Sequence, residues 1–562
     1  MFRHPGEYVV PPSPSIPAPT IQSVSYASPA PSPSPPSLRQ IDHLPRTPLT
    51  LEAAVRMGLE NSPVIRNAGG RVLVAPESVR TRFDPQIVDS DPNGGQIAAQ
   101  SAFDTRLQSS LTGNGGGQGL GGSGAGGTFG TFTQPQSLAS AGWTKTYRSG
   151  TRVTYGGLGG HDPDLASGAF AAVGASVRQP LMRGAGREVN EIAGPYAQTG
   201  SYRGVRIARL NSERSHIEME RAVRDYVAEV VNTYWELHFA YQDLETKRRA
   251  RELAQRSWDL EQRRVEANVS PADFEALARQ QFYAADAAFQ NAAVGSSGKG
   301  GVYSVELKLR SLLGLPAVDH SLVQPSTQPL ETELQFDWEE SLALAQNRRV
   351  ELRKQRVNVS QRELEVIAAR NMERWDVALV GQYRRPLAEL SNQSTLFGDA
   401  FTGWQAGVQV DRALGNRREQ SGTRNAELHL SREQAILIEQ EKQLAAQLRE
   451  AFNERERAFA VTRSLGKSRD AARIHLDAEI KRHAAGDADL DRVLEAQRRT
   501  AETETAYSRS LVDYNLSIVG VHLVRSTLLD MLGVGFVNEA PLPQQDVTPI
   551  PDSASHARRA SY

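Results

Sequence analysis

Apolar residues recur at alternating steps of four and three along Val223, Val227, Val230, Tyr234, Leu237, Tyr241 and Leu244. Arg, Glu, Asp and Gln fill most positions between them, so the pattern is an a/d heptad seam on a helix. The proline-free run around it, Tyr202 to Ala267, predicts one rod of roughly 100 Å at 1.5 Å per residue. Such a rod is too long for one globular domain and is expected to run along other helices outside a compact core. A second proline-free run, Thr423 to Ala485, carries a double column that repeats every seven residues: Leu437/Ile438, Leu444/Ala445, Ala451/Phe452 and Ala458/Phe459.

Ahead of each rod the period changes from 3.5 to 2. Phe103, Thr105, Leu107 and Leu111 oppose Asp104, Arg106, Gln108 and Ser110, which predicts a strand. A Gly-rich loop, Gly113 to Gly130, follows. A hairpin is predicted from Trp143–Tyr147 and Thr151–Tyr155, turning at Ser149-Gly150. The next strand, Ala169 to Leu181, sets Ala171, Val173, Ala175 and Val177 against Ala172, Gly174, Ser176 and Arg178. Two more strands, Trp375–Arg384 and Phe401–Arg412, precede the second rod. In them Trp375, Val377, Leu379, Tyr383, Trp404, Val408 and Val410 share one face, and Asp376, Gln382, Arg384, Gln405, Gln409 and Asp411 the other. An apolar face toward lipid and a polar face toward water would suit a membrane barrel. The Trp residues would stand where an interfacial belt lies, although single Trp residues more often belong to a core.

Shorter elements complete the series. Thr50 caps a helix over Leu51–Asn61, and Asp337 caps another that continues to about Met372. Pro76, Pro85, Pro92 and Gly94-Gly95 exclude a long helix between Gly69 and Gly95. Each rod reaches a tip, at Asn268–Asp273 and near Gly486, and a return helix follows. The first return helix is interrupted from Gly295 to Gly301. Helix, strands, rod and return helix thus occur twice: Leu51-Glu52 aligns with Trp338-Glu339, Gly174, Val177 and Leu181 with Gly407, Val410 and Leu414, and Asp273 and Ala278 with Asp491 and Ala496. The implied organisation is a Pro/Ser-rich leader over 1–48, a first repeat over 49–316, a linker over 317–336, a second repeat over 337–534 and a C-terminal tail over 535–562. Leader and tail read as disordered.

Composition narrows the function. The 562 residues are 39% hydrophobic, with a mean hydropathy of −0.45, which is little for one large core but enough for rods and polar-lined sheets. Lys and Arg number 64 against 65 Asp and Glu, so the net charge of −1 favours no nucleic acid. Cysteine is absent, which excludes disulfides, thiolate metal sites and an acyl-cysteine anchor. No apolar run approaches the ~18–20 residues of a spanning helix, so insertion would require a barrel. Met1–Pro5 opens no hydrophobic signal core, which leaves either a cytoplasmic protein or a start lying upstream. The scattered His, the glycines at 115–127 and the absence of a nucleophile–base pair point to no metal, no cofactor and no enzyme.

Several stretches carry a family likeness: Leu49-Thr-Leu-Glu-Ala-Ala-Val55 with Asn61-Ser-Pro63, its echo Trp338-Glu-Glu-Ser-Leu-Ala-Leu344 with Val350-Glu-Leu-Arg353, Gln179-Pro-Leu-Met-Arg-Gly-Ala-Gly186, Ala485-Gly486 with Leu494-Glu-Ala-Gln497, and Leu532-Gly533. Together, over about Leu49 to Val534, they resemble the TolC-like outer-membrane efflux protein family. The resemblance implies an α+β membrane protein: a trimeric β-barrel continued by a long α-helical coiled-coil barrel, built by internal duplication. It implies the exit duct of a tripartite efflux or type I secretion system, working with a periplasmic adaptor and an inner-membrane RND or ABC transporter. The chain departs from the family in its N-terminus, its proline-broken first upward helix and its extra hairpin.

The resemblance also places a periplasmic gate at the rod tips, over Asn268–Glu275 and Gly486–Glu495. Asp273, Glu275, Asp487, Asp489, Asp491, Arg492 and Glu495 are its candidates, with the family's two acidic positions falling on Arg492 and Glu495. Arg492 would pair with Glu495 three residues on, or with Asp491 or Asp273 of a neighbouring copy. The plain alternative for the acidic run is a solvated turn. For the whole chain, the alternative is a soluble coiled-coil scaffold.

Overall fold

The computed structural model describes residues 44–61, 64–66, 79–113, 137–161, 169–267, 271–296, 299–316, 321–386, 403–412, 414–485 and 489–535. In chain order the first half contains β1 (Arg46–Leu49), α1 (Leu51–Glu60), α2 (Asp84–Ser90), α3 (Gln96–Ser101), β2 (Arg106–Gly113), β3 (Ser137–Thr146), β4 (Arg152–His161), β5 (Ala169–Pro180) and α4 (Arg187–Ala193). Then come the first rod α5 (Val205–Glu266), α6 (Ala272–Val294), the short strands β6 (Gly295–Ser296) and β7 (Lys299–Gly300), and α7 (Val302–Leu313). The second half contains β8 (Leu322–Pro325), α8 (Trp338–Arg348), α9 (Val350–Met372), β9 (Asp376–Pro386), β10 (Gly403–Asp411), the second rod α10 (Arg417–Ala485), α11 (Leu490–Arg525) and α12 (Leu528–Met531).

The rods form where the heptad patterns place them, 62 and 69 residues long. Both expected caps are made: Thr50 Oγ1 accepts from the Ala53 amide at 3.3 Å, and Asp337 Oδ1 from the Glu340 amide at 2.7 Å. The expected helix from Asp337 to Met372 is instead two helices. Arg349 leaves helical geometry at φ −57° and ψ 122°. Its guanidinium is engaged by Glu351 Oε2, the Val524 carbonyl and Gln447 Oε1, which ties the break to α10 and α11.

The first rod also departs from expectation, because its middle lies inside the largest core. Val227, Val230, Val231, Tyr234 and Leu237 are fully buried with Val55, Leu309, Leu312, Leu313 and Leu528. Three tyrosines on the rod fasten the chain wrapped around it: Tyr226 donates to the Leu312 carbonyl (3.0 Å), Tyr234 to Leu49 (2.9 Å) and Tyr241 to Val323 (3.1 Å). The end of the expected leader belongs to this mid-section. Arg46–Leu49 pairs in parallel with Leu322–Pro325, inside the expected linker, so both segments are strands where disorder or a plain connection was expected. The remaining leader and the tail beyond 535 lie outside the described residues.

Candidate functional site

Two regions carry the residues singled out by the sequence: the strand region and the rod tips. All six main strands join one antiparallel sheet in the order β10-β9-β5-β4-β3-β2. The β5–β9 pairing unites the two halves of the chain, with Ala175 opposite Tyr383. The hairpin between β3 and β4 turns at Gly150, whose φ of +88° suits glycine and whose amide donates to the Tyr147 carbonyl at 2.9 Å.

The period-two pattern of each strand becomes, in this register, two continuous faces. One row across the sheet reads Trp404, Tyr383, Ala175, Tyr155, Trp143 and Leu107. On that face Trp143 stacks on Tyr155 with ring centroids 5.2 Å apart. Val377, Leu379, Val408, Val410 and Leu111 share it; Val377 is half-buried and the others are exposed in the single chain, with Trp404 at 80% and Leu111 at 82%. Water-exposed apolar surface of this extent marks contact with something other than water. Trp375 directly precedes β9, and the Arg412 guanidinium lies 4.6 Å from its ring centroid.

The opposite row reads Gln405, Gln382, Ser176, Thr154, Thr144 and Arg106. Its side chains satisfy one another across strands: Ser110 with Ser140 at 2.8 Å, Thr144 with Thr154 at 3.2 Å, and Arg178 Nη2 with Asp376 Oδ1 at 2.7 Å. A trough of about 300 Å³ opens on this face, lined by Gln108, Ser140, Thr144, Thr154, Ser176, Gln382 and Arg384. The sheet therefore curls with its polar face concave.

At the rod tips the two halves of the chain meet. Ala278, Leu490 and Leu494 are buried together, with Trp258, Phe274 and Leu277 packed against them. Trp258 Nε1 donates to Glu275 Oε1 at 2.6 Å, and Gln497 Nε2 to Ser257 Oγ at 3.1 Å. Asp273, Asp489, Asp491 and Arg492 are exposed, while Glu275 is half-buried. Asp273, Glu275 and Asp491 lie in the first turns of α6 and α11, and Asp489 is the N-cap of α11. These are positions where the helix dipole favours negative charge. Asp487 lies outside the described residues.

The pairing expected between Arg492 and Glu495 is not made. Glu495 instead accepts from Arg498 (3.0 Å) and Arg499 (2.8 Å), three and four residues ahead on its own helix face. Those hydrogen bonds, Arg498 first, hold its carboxyl below the ordinary carboxylate range. The sequence reading missed a second tip cluster. Glu261 is 1% exposed and accepts from Arg264 at 3.1 Å, and Arg264 Nη1 lies 3.1 Å from His483 Nε2 on the other rod. Nothing in the sequence sets Glu261 apart from the other acids of a polar rod; only the packing of the two rods buries it.

Neither a protein-family model nor a curated protein matches the sequence. Solved structures match over most of the chain. The outer-membrane channel OprN aligns at a TM-score of 0.56 with 15% identity, covering 86% of this chain and 90% of that one. The outer-membrane protein VceC of Vibrio cholerae aligns at 0.54 with 15% identity, covering 87% and 97%. The outer-membrane channel CmeC of Campylobacter jejuni aligns at 0.54 with 12% identity, covering 92% of each chain. At such identities the likeness is one of fold. The fold of the single chain, helical rods joined to a sheet, is TolC-like, as the sequence motifs implied.

Proposed function

We propose that this chain is one subunit of an outer-membrane exit duct, in which three copies close a β-barrel from their six-stranded sheets and a helical tunnel from their rods. The sheet with a convex apolar face and a concave polar face is the observation that carries this reading. Its strands of 8–12 residues suit a tilted membrane crossing, which takes about 9–11 residues. Lys145 and Arg385, the charged residues of the apolar face, stand near opposite ends of β3 and β9, where long cationic side chains reach lipid headgroups.

In this reading Trp375, Val377, Leu379, Tyr383, Trp404, Val408 and Val410 face lipid, and the rods project into the periplasm. The chain is two repeats fused through β5 and β9. The rod tips, with Asp273, Glu275, Asp489, Asp491, Arg492 and Glu495, form the periplasmic mouth. A periplasmic adaptor and an inner-membrane transporter of the RND or ABC kind are the partners such a duct requires, and the cargo is small molecules or proteins delivered by that pump.

The faces make the test. Val408→Arg places a charge against lipid toward the middle of β10 and should cost about 2–4 kcal/mol of folding stability, whereas Val377→Arg, one residue from the end of β9, should cost about 1 kcal/mol or less. Gln382→Arg, on the concave face, should be tolerated. Refolding yield in lipid vesicles and extraction only by detergent are the measurements. Equal yields for the two kinds of variant would reverse or abolish the assigned faces.

A further inference from the structure

Arg106 opens β2, and its cross-strand row runs through Thr144, Thr154, Ser176 and Gln382 to Gln405. The strands continue past that row toward the helical end by increasing amounts. β3 runs two residues further to Thr146, β4 two to Arg152, β5 four to Pro180, β9 six to Asp376 and β10 six to Asp411. Six residues at about 3.4 Å over five interstrand spacings of about 4.8 Å correspond to a strand tilt of roughly 40°. Closed barrels require a tilt of about 35–45°.

The edges of the sheet are β2 and β10, and each leaves one side unpaired among the described residues. Neighbouring strands alternate in direction across all six, so β2 runs opposite to β10. A second copy placed edge to edge therefore continues the antiparallel ladder and keeps both faces in phase. Copies related by an axis along the barrel sit at one height, so the stagger brings Asp411 of one copy level with Arg106 of the next, to within about two residues.

Charge at the edges agrees with that register. Asp411 stands directly opposite Asp376 on the polar face, an unfavourable like-charge pair. Arg178 neutralises Asp376 at 2.7 Å, and Asp411 makes no ion pair among the described residues. At the other edge, the described contact of the Arg106 guanidinium is with the Tyr196 ring, 5.4 Å from its centroid. Each edge thus holds the charge the other lacks.

Resting on the channel reading, we infer that copies join through β2 of one against β10 of the next, sealed near the periplasmic end by Arg106 and Asp411, and that three copies close an eighteen-stranded barrel. A barrel of that strand number and tilt is roughly 35 Å across between backbones, wide enough for an aqueous bore. The polar face along Gly142, Gly156 and Gly174 adds no side chain to narrow it. The outlet is thus set by six strands per copy and passes bulky hydrated cargo.

Because the chain has no cysteine, paired substitutions report the seam directly. With Arg106→Cys and Asp411→Cys in one full-length chain refolded in lipid, oxidation should give a covalent ladder ending at trimer. Arg106→Cys with Gln405→Cys, the pairing of an untilted sheet, should give none. Arg106→Asp should cut the heat-resistant oligomer about fivefold, and adding Asp411→Arg should restore it. Crosslinking through position 405, a crosslink confined to one chain, or an unrestored charge swap would overturn the seam. A detergent-extracted protein that conducts in planar bilayers without the 106–411 link overturns the seam alone. A water-soluble monomer overturns the channel reading with it.

Discussion

The two rods have similar lengths and similarly polar sequences, yet they are held in different ways. In α5 the stretch from Val223 to Leu244 is buried on several sides, with α1, α7 and β8 wrapped around it and three tyrosine hydroxyls fastened to carbonyls of β1, α7 and β8. In α10 one stripe through Leu444, Leu448, Ala458 and Thr462 is buried, while Leu428, Ile438, Val461 and Ile474 stay exposed. A heptad seam therefore says that a helix is packed, and says nothing of how many neighbours pack it. The first rod is a mast on which the mid-section condenses. The second is a wall whose outer face the single chain leaves open.

Breaking that contrast begins in the mast. Leu237→Ala should destabilise the chain by about 2–5 kcal/mol through the cavity it leaves, whereas Ile474→Ala on the second rod should stay within about 0.5 kcal/mol. Denaturant unfolding followed by helical circular dichroism distinguishes them, and equal shifts would erase the difference between the rods.

The charge that ties the mast to α9 should make stability depend on pH. Burial pushes Glu351 upward, but hydrogen bonds from the buried Arg224, at 2.8 and 3.1 Å, with the charges of Arg224 and Arg349, hold it down at about 2. A carboxyl lowered on folding contributes stability above its unfolded value near 4.5, and loses it as pH falls toward 2. Its share is at most about 3 kcal/mol. Glu351→Gln should flatten stability over that acid window, and an unchanged acid limb would remove Glu351 from the account.

Tyr234→Phe loosens the first rod more gently. It removes the hydroxyl that donates to Leu49 and accepts from the Thr327 amide at 3.0 Å. Two backbone groups lose their partner, for about 1–3 kcal/mol. The amide of Thr327 should then exchange faster with solvent, while residues of the second rod keep their protection.

The smallest effects belong to the tips. Arg498→Gln removes one of two partners of the exposed Glu495 and should change stability by about 1 kcal/mol or less. Arg492→Glu adds a like charge near the proposed mouth and should raise single-channel conductance in planar bilayers. Equal conductance in the parent, Arg492→Glu and Glu495→Lys would separate the tips from gating.

Much of this molecule was written in short-range pattern. The rods expected over Tyr202–Ala267 and Thr423–Ala485 fold as Val205–Glu266 and Arg417–Ala485, and the Thr50 and Asp337 caps form as read. All six strand segments carry their alternation into strands, although the first begins at Arg106 and the expected Phe103–Thr105 is a turn that buries Phe103. Helix, strand and cap are decided by residues within a few positions of one another, where periodicity and side-chain chemistry act directly. Partners far apart in the chain were decided by packing alone. Arg46–Leu49 found Leu322–Pro325, β5 found β9, and Tyr234 found Leu49 and Thr327. At the tips Glu495 had several arginines within one helical turn, and only the folded geometry chose Arg498 and Arg499 over Arg492. The stagger of the sheet, which sets its tilt, exists only once six strands are in register, because it is a relation among strands and belongs to no single one of them.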